Sequence, residues 1–330
     1  SSLKLPSSSS SSSSNQNRQT NRRTATTTTR NMFWPEHPDT ASFDGEVDEE
    51  EEQLSRVLDS ILKIHCTHSE PDYLIPWQKQ HQSPSTSSGF VIEIPGVGKR
   101  VMTNAHSVEY GTMIQVQRRG GERKYQATVE VIANECDLAI LNVDDSSSAD
   151  FWDGLHALEF GPLPALQEEV EVLGYPTGGD SLSITSGVVS RIEMQEYSQA
   201  STHLLAIQID AAINAGNSGG PVVNDDRQVI GVAFQGLVGA ENIGYVVPVT
   251  VVLHILQGLQ RDGKYTGFCS LGVITNSLEN TGFRKSLGML EDDLSGLLVQ
   301  ETSPLSHAKG IFQPNDVICQ VDGIPVGNDS

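Results

Sequence analysis

From Leu54 to about Val249 the chain breaks into short apolar segments separated by Gly, Pro, Asn and Asp. In order they are "SGFVIEI", "MIQVQRR", "KYQATVEVI", "DLAILNV", "VEVLGY", "GVVSRIE", "LAIQID", "QVIGVAF" and "NIGYVVPV". Such runs have the length of strands rather than helices, and the turn residues between them set a regular cadence. The cadence predicts an all-β fold, either a barrel or a sandwich pair. Two exceptions flank it. "LSRVLDSILKIHC" is apolar at Leu54, Val57, Leu58, Ile61, Leu62 and Ile64, a spacing that predicts a short helix running into a strand. "PVTVVLHILQGLQRDG" predicts a helix after the last strand.

The 330 residues leave room for two domains with real cores. The formal charge of −21 argues against a nucleic-acid partner, because phosphates would be repelled. No run of 18 apolar residues is present, so no transmembrane segment is expected. The four cysteines (Cys66, Cys136, Cys269 and Cys319) are widely spaced with no CxxC, which suggests reduced thiols, although two disulfides also fit the count. The first 30 residues are rich in Ser, Thr and Arg and contain no acid. They carry five basic residues, so the rest of the chain holds −26. That composition predicts a disordered leader, read either as an organelle transit peptide or as a solvated tail. An acidic linker, Phe43 to Gln53, follows. The chain therefore divides into a disordered leader and linker (1–53), a β domain (54–262) and a second domain (263–330).

"NAGNSGGPVV", Asn214 to Val223, crowds three glycines around Ser218. A serine hydroxyl is a poor nucleophile at neutral pH unless a base takes its proton, a third group orients the base, and donors meet the developing oxyanion. Glycines let backbone N–H groups turn inward without Cβ clashes, so the N–H groups of Gly216 and Ser218 are the candidate oxyanion donors. The competing reading is a Gly-rich turn with an incidental serine. His106, in "VMTNAHSVEY", follows an apolar pair and a small polar turn, and is the candidate base. Asp137 leads the apolar "LAILNV" and must be paired if it lies at the edge of a core, which makes it the candidate orienting acid. Each of these two, taken alone, reads first as an ordinary structural residue: His106 as a core or surface histidine, Asp137 as a turn aspartate at a strand start. Asp210 is a rival acid, read as support for the nucleophile loop. "GNSGG" also satisfies the G-x-S-x-G elbow of α/β-hydrolases, but that elbow needs a following helix, with the acid and then the histidine downstream. Here a proline, a turn and a strand follow. The order His106, Asp137, Ser218 fits the chymotrypsin arrangement.

The segments "TNAHSV", "CDLAIL", "VLGYPTGG", "SITSGVVSRIE", "IQIDAAINAGNSGGPVVN" and "ENIGYVVPV" resemble the HtrA/Deg serine proteases. "PDYLIPWQKQ" and "FWDGLHALEFGPLPALQ" resemble the plant-type Deg subgroup. The resemblance covers about Leu54 to Ser330. It implies a chymotrypsin-like double β-barrel followed by a PDZ domain, and ATP-independent cleavage of unfolded or damaged proteins by trimer-based homo-oligomers. It matches Ser218 to the nucleophile, His106 to the general base and acid, and Asp137 to the orienting carboxylate. Gly216 and Ser218 match the oxyanion donors, with Asn217 shaping the loop between them. Two departures leave the chemistry intact: Ser107, where relatives often carry Cys or Val, and Ala215, where Pro is common.

In this protease fold the residues shortly before the serine line the pocket for the cleaved residue. Here they are Ala212 and Ile213, with no acid to favour Lys or Arg, so small or medium apolar residues are expected at the cut. Val232, Ala233, Phe234, Gln235 and Gly236 match the strand edge that pairs with extended substrate. An unfolded segment offers free backbone groups for strand addition, which a folded protein mostly does not. From Gly263 onward, "YTGFCSLGVIT" and "SGLLVQETSPLSHAKGIFQPNDVICQVDGIPVGND" resemble the start and middle of a PDZ domain. Ser270, Leu271, Gly272 and Val273 match its carboxylate-binding loop. "NDVI" stands where the family usually has "GD-VI". The chain ends before the helix and final strand of that fold, so a partial PDZ domain is expected.

"HCTH", His65 to His68, holds three metal-ligating side chains, but strand alternation would send His65 and Cys66 to opposite faces and no second ligand pair appears. No metal and no cofactor is therefore expected. "RRGGERK", Arg118 to Lys124, reads as a solvated hairpin, with docking as the alternative. Two functions remain: a serine endopeptidase for protein quality control, or a catalytically weak chaperone that holds unfolded chains. The leader favours the chloroplast over the mitochondrion, with the nucleus left open.

Overall fold

The computed structural model describes residues 49–143, 150–197, 202–236, 243–289 and 294–328. The Ser/Thr/Arg-rich leader, the start of the acidic linker and the last two residues lie outside the described residues. Helix α1 (Glu49–Asp59) starts within the acidic run, before the boundary at 53/54 read from the sequence. The physical reason is local. Glutamates in a first helical turn face the positive end of the helix dipole, so the charge run that looked like linker is a favourable helix start.

Six strands follow: β1 (Ile61–His68), β2 (Ser83–Ile94), β3 (Gly98–Thr103), β4 (Gly111–Gln117), β5 (Lys124–Ala133) and β6 (Leu138–Val143). They close into an antiparallel barrel in the order β1-β2-β3-β6-β5-β4. Its interior is apolar, built on Leu62, Ile64, Val91, Val101, Val116 and Leu141. The alternation along β1 puts Ile64 and Cys66 inside and leaves His65 half-buried between them.

A second closed barrel runs β10-β11-β12-β9-β8-β7. Its strands are β7 (Glu169–Gly174), β8 (Ser183–Tyr197), β9 (Thr202–Ile209), β10 (Pro221–Val223), β11 (Val229–Gly236) and β12 (Gly244–Pro248). Val170, Val172, Ile207, Ile209, Val222 and Ile230 fill it. A further apolar cluster joins the two barrels. Phe90, Met102, Leu138 and Ile140 of the first meet Leu173, Val223, Val232 and Phe234 of the second in one buried set. Each such side chain is worth roughly 1.5–3 kcal/mol when fully buried, so the seam between the barrels is a core in its own right.

Helix α2 (Val249–Asp262) packs Val251, Val252 and Ile255 onto the same cluster and stops at Gly263, which adopts the left-handed conformation at φ 67°. The chain then folds back on the two-barrel region. The Tyr265 hydroxyl donates to Glu135 Oε2 at 3.0 Å, and Phe268 stacks on His254 at 4.7 Å. Tyr265 and Phe268, past the 262/263 boundary read from the sequence, thus still contact the preceding region. Beyond it, β13 (Val273–Asn276), β14 (Leu297–Thr302) and β15 (Val317–Ile318) form a sheet, with helix α3 (Thr281–Ser286) between β13 and β14. β16 (Gln320–Val321) and β17 (Ile324–Pro325) form a separate ribbon. Leu278, Met289 and Leu298 make the small core of this region. Among the described residues, no helix is long and apolar enough to cross a membrane.

Candidate active site

The first barrel delivers a histidine and an acid. β3 ends at Thr103, and His106 lies in the turn that follows, closed by bonds from the Val108 and Glu109 N–H groups to the Ala105 carbonyl. Asp137 ends a one-turn 3-10 helix (Asn134–Cys136) that joins β5 to β6, with φ 53°. Aspartate tolerates this left-handed region better than most residues. Its carboxylate is buried, 1% exposed, and both oxygens face the histidine: the His106 backbone N–H donates to Oδ1 at 2.9 Å, and Nδ1 meets Oδ2 at 2.6 Å. The Asn104 side chain donates to the Asp137 carbonyl at 2.9 Å, which ties the two turns together. With Nδ1–H committed to a carboxylate, Nε2 is left as the basic nitrogen.

The second barrel delivers Ser218 on the loop before β10. Ser218 is half-buried, between fully covered neighbours. The loop is fixed by its backbone. Asn217 N–H donates to the Asn214 carbonyl at 3.0 Å, Gly219 N–H to Ala233 at 2.8 Å, and Gly220 N–H to Asn217 at 2.9 Å. Of the five N–H groups from 216 to 220, those of Gly216 and Ser218 alone donate to no acceptor among the described residues. The Ala215 carbonyl accepts from Thr177 N–H at 2.7 Å. Because a trans peptide points its C=O and N–H in opposite directions, that bond turns the Gly216 N–H away from Thr177. The two unengaged donors are thus the ones an oxyanion would need. No hydrogen bond joins the Ser218 hydroxyl to the His106 ring in this structure, and such bonds are commonly long before substrate arrives.

Three glycines of the loop are required by space, Gly220 among them, whose Cβ would fall 2.1 Å from the Leu173 carbonyl oxygen. A Cβ on Gly219, at φ 83°, would fall 2.3 Å from the Ser88 carbonyl oxygen and 2.4 Å from Thr103 Oγ1. One on Gly216, at φ 100°, would fall 2.4 Å from the Tyr175 carbonyl oxygen. Those neighbours also locate the loop, since Thr103 and Asn104 directly precede the His106 turn.

Ser88 is the residue that sequence reasoning missed. It sits on β2 of the first barrel, fully buried, and its N–H donates to the Ser218 carbonyl at 2.9 Å. Its hydroxyl donates to the Gly216 carbonyl at 2.7 Å and accepts from Tyr175 N–H at 2.8 Å. Its own carbonyl accepts from Thr103 Oγ1 at 2.8 Å. The only signal in the sequence was a serine ending "SPSTSS" just before an apolar run, which looks like any loop serine.

The remaining sequence candidates fare differently. Asn217 is fully buried inside the loop, and its side-chain amide bonds no other described residue. The Ala212 carbonyl accepts from Thr185 Oγ1 at 3.1 Å, and Ile213 packs beside Gly244 and the second-barrel core. The strand edge is narrower than expected. Val232 pairs with Pro221 on one side and Val247 on the other, and the Ala233 N–H and carbonyl are bonded to Gly220 and Gly219. Val232 is therefore not free to pair with substrate, because β10 reaches further along β11 than the sequence suggested. A bulge falls at Phe234, which stacks on Tyr197 in the core at 4.7 Å. Past it, Gln235 and Gly236 pair only with β12 among the described residues. Asp210 Oδ1 accepts from Val188 N–H at 2.6 Å, so it braces β8 against β9.

In the C-terminal region, Gly272 has φ 64° and its N–H donates to Ser270 Oγ at 3.1 Å. Leu271 is exposed, its carbonyl accepts from Ser306 Oγ at 2.9 Å, and Val273 opens the edge strand β13. Of the HCTH side chains, His65 meets Gln117 at 2.8 Å, while His68 meets Cys66 Sγ at 3.7 Å, the Glu109 carbonyl at 2.7 Å and Ser85 at 2.6 Å. Among the described residues no group of three metal-ligating side chains converges.

Residues 87–232 match the trypsin-like peptidase domain. Over 161 residues the chain is 40% identical to putative protease Do-like 6, chloroplastic, of Arabidopsis thaliana, covering 49% of this chain and 70% of that protein. The chain belongs to the Do-like (HtrA/Deg) protease family. It is also 50% identical over 272 residues to protease Do-like 2, chloroplastic, of the same plant, covering 82% of this chain but only 43% of that protein. The chain thus spans less than half the length of that Do-like relative. Among solved structures, an HtrA-type protease AlgW with a tripeptide is 25% identical, with a TM-score of 0.63 over 82% of each chain.

Proposed function

We propose that this chain is a serine endopeptidase that cuts unfolded or damaged proteins without ATP, as part of protein quality control. Ser218 is the nucleophile, His106 the general base and then acid, and Asp137 the group that orients and stabilises the imidazolium. The Gly216 and Ser218 N–H groups receive the tetrahedral oxyanion. The single observation carrying this reading is the pairing of His106 with both oxygens of the buried Asp137. In the reaction, the Ser218 oxygen bonds to the substrate carbonyl carbon while His106 Nε2 takes its proton. Nε2 then gives that proton to the leaving amine as the C–N bond breaks. Water, activated by the same nitrogen, releases the acyl group.

Substrate before the cut pairs with the open edge at Gln235 and Gly236, and Ala212 and Ile213 favour a small or medium apolar residue at the cut. The Ser270–Val273 loop receives a peptide carboxylate, and the enzyme assembles as trimers. An organellar location follows the names of relatives, which are chloroplastic and mitochondrial; those names give the nucleus no support. The test is digestion of unfolded casein by the native chain and by Ser218→Ala. Loss of cleavage by about 10⁴-fold or more in the variant is expected. Aggregation suppressed by both proteins with cleavage by neither would favour the holdase instead.

A further inference from the structure

We propose that the cleft continues past the scissile bond into a cationic subsite centred on Lys124, which selects protein substrates bearing Asp or Glu a few residues after the cut. This rests on the endopeptidase reading above.

Two adjoining cavities carry it. The first, of about 640 Å³, has Ala215, Gly216 and Thr177 on the second barrel and Thr86, His65 and Lys124 on the first. Gly216, whose N–H is one of the two proposed oxyanion donors, lines it, so it adjoins the place where the scissile carbonyl would lie. None of its lining residues comes from β11 or β12. Substrate before the cut runs along β11, so this cavity lies on the side taken by the leaving chain. The second cavity, of about 780 Å³, shares His65 and Lys124 with the first.

Charge distinguishes the second cavity from the rest of the molecule. Its lining carries Lys63, Arg118, Arg119 and Lys124 against Glu122 and Asp180, a local excess of cations in a chain of net charge −21. Lys63 is spoken for by Asp180 at 2.7 Å, and Arg119 by Asp59 at 3.0 Å. Among the described residues, Arg118 donates only to the carbonyls of Asp150 and Phe151. Lys124 has no carboxylate partner among the described residues; its polar neighbour is His65 Nδ1 at 3.4 Å.

Lys124 is exposed, and the neighbour it meets is oriented. The Gln117 amide donates through Nε2 to the Gly121 carbonyl at 2.7 Å, which leaves its Oε1 to accept from His65 Nε2–H at 2.8 Å. The proton is then on Nε2, and Nδ1 faces the ammonium as an acceptor. Burial lowers the pKa of His65, with Lys124 and Lys63 adding to that and the Gln117 bond opposing it. The His65 ring, oriented by Gln117, gives the exposed ammonium one directed neighbour, so less side-chain freedom is lost when the lysine meets a carboxylate. An unpatched surface of this net charge would repel acidic chains, and a focused cationic site reverses that locally.

The experiment uses the full chain and internally quenched peptides with an apolar residue before the cut. Glu or Lys is placed at the second, third or fourth position after it. The readout is the ratio of kcat/KM for the Glu peptide over its Lys twin. At low salt the native chain should favour Glu by about 5-fold at one or two of these positions, the scale of a partly exposed ion pair. Lys124→Glu should invert the ratio. Arg261→Glu, outside both cavities, makes the same change in net charge and should leave the ratio near its native value. A native ratio near one at all three positions, or equal shifts in the two variants, overturns the subsite while leaving the endopeptidase standing. No cleavage of any peptide by the native chain fails the endopeptidase reading itself, and the subsite with it.

Discussion

The two halves of the candidate site are held by opposite means. On the first barrel, side chains do the fixing: one carboxylate grips one histidine through ring and backbone, and one asparagine ties the two turns. On the second barrel the loop around Ser218 is fixed by main-chain bonds and by glycines packed where no Cβ fits. The first half therefore depends on which atoms are present, and the second on which atom is missing. Exchanging one oxygen for nitrogen should disable the first, whereas adding one carbon should disable the second.

The largest effect in this comparison belongs to Asp137→Asn. The shape is kept, but the amide no longer enforces the tautomer, and kcat on an unfolded substrate should fall by about 10⁴-fold with far-ultraviolet circular dichroism unchanged. A fall of less than tenfold would show that the acid is only structural. Gly219→Ala comes next. Its new Cβ would collide with the Ser88 carbonyl, so the loop must shift, and a displacement of about 1 Å costs on the order of 100-fold in kcat/KM. Activity within a few-fold of native would mean that the loop has slack that its packing denies. Smallest is Ser88→Ala, which leaves the Gly216 carbonyl and Tyr175 N–H without their partner. Each buried orphan costs about 1–3 kcal/mol, read as a lower denaturation midpoint, with a several-fold loss of turnover. A variant as stable as the native chain would remove Ser88 from the account and leave the glycines alone to hold the loop.

The alternating segments made the all-β character legible, whereas the two barrels and a site joining His106, Asp137 and Ser218 between them were what the resemblance to HtrA/Deg proteases implied. What escaped was set by pairing. The first half of β2, "SPSTSS", lacks any apolar pattern, yet it runs as a strand because its residues register against β1, from Ser83 opposite His68 to Ser88 opposite Lys63. Local propensity yields to such partners. The reach of β10 along β11 was hidden for the same reason, since three residues carry no period. Tyr265 and Phe268 read as the opening of the next domain, and only tertiary contact reveals them as part of the protease packing. The helical glutamates of α1 were legible as charge but not as structure, because the dipole that favours them exists only once the helix has formed.

Ser88 belongs to one barrel and grips the reactive loop of the other. Parting of the two barrels would therefore pull the Gly216 and Ser218 carbonyls from their Ser88 partners, so the shape of this loop depends on the seam as well as on its own barrel.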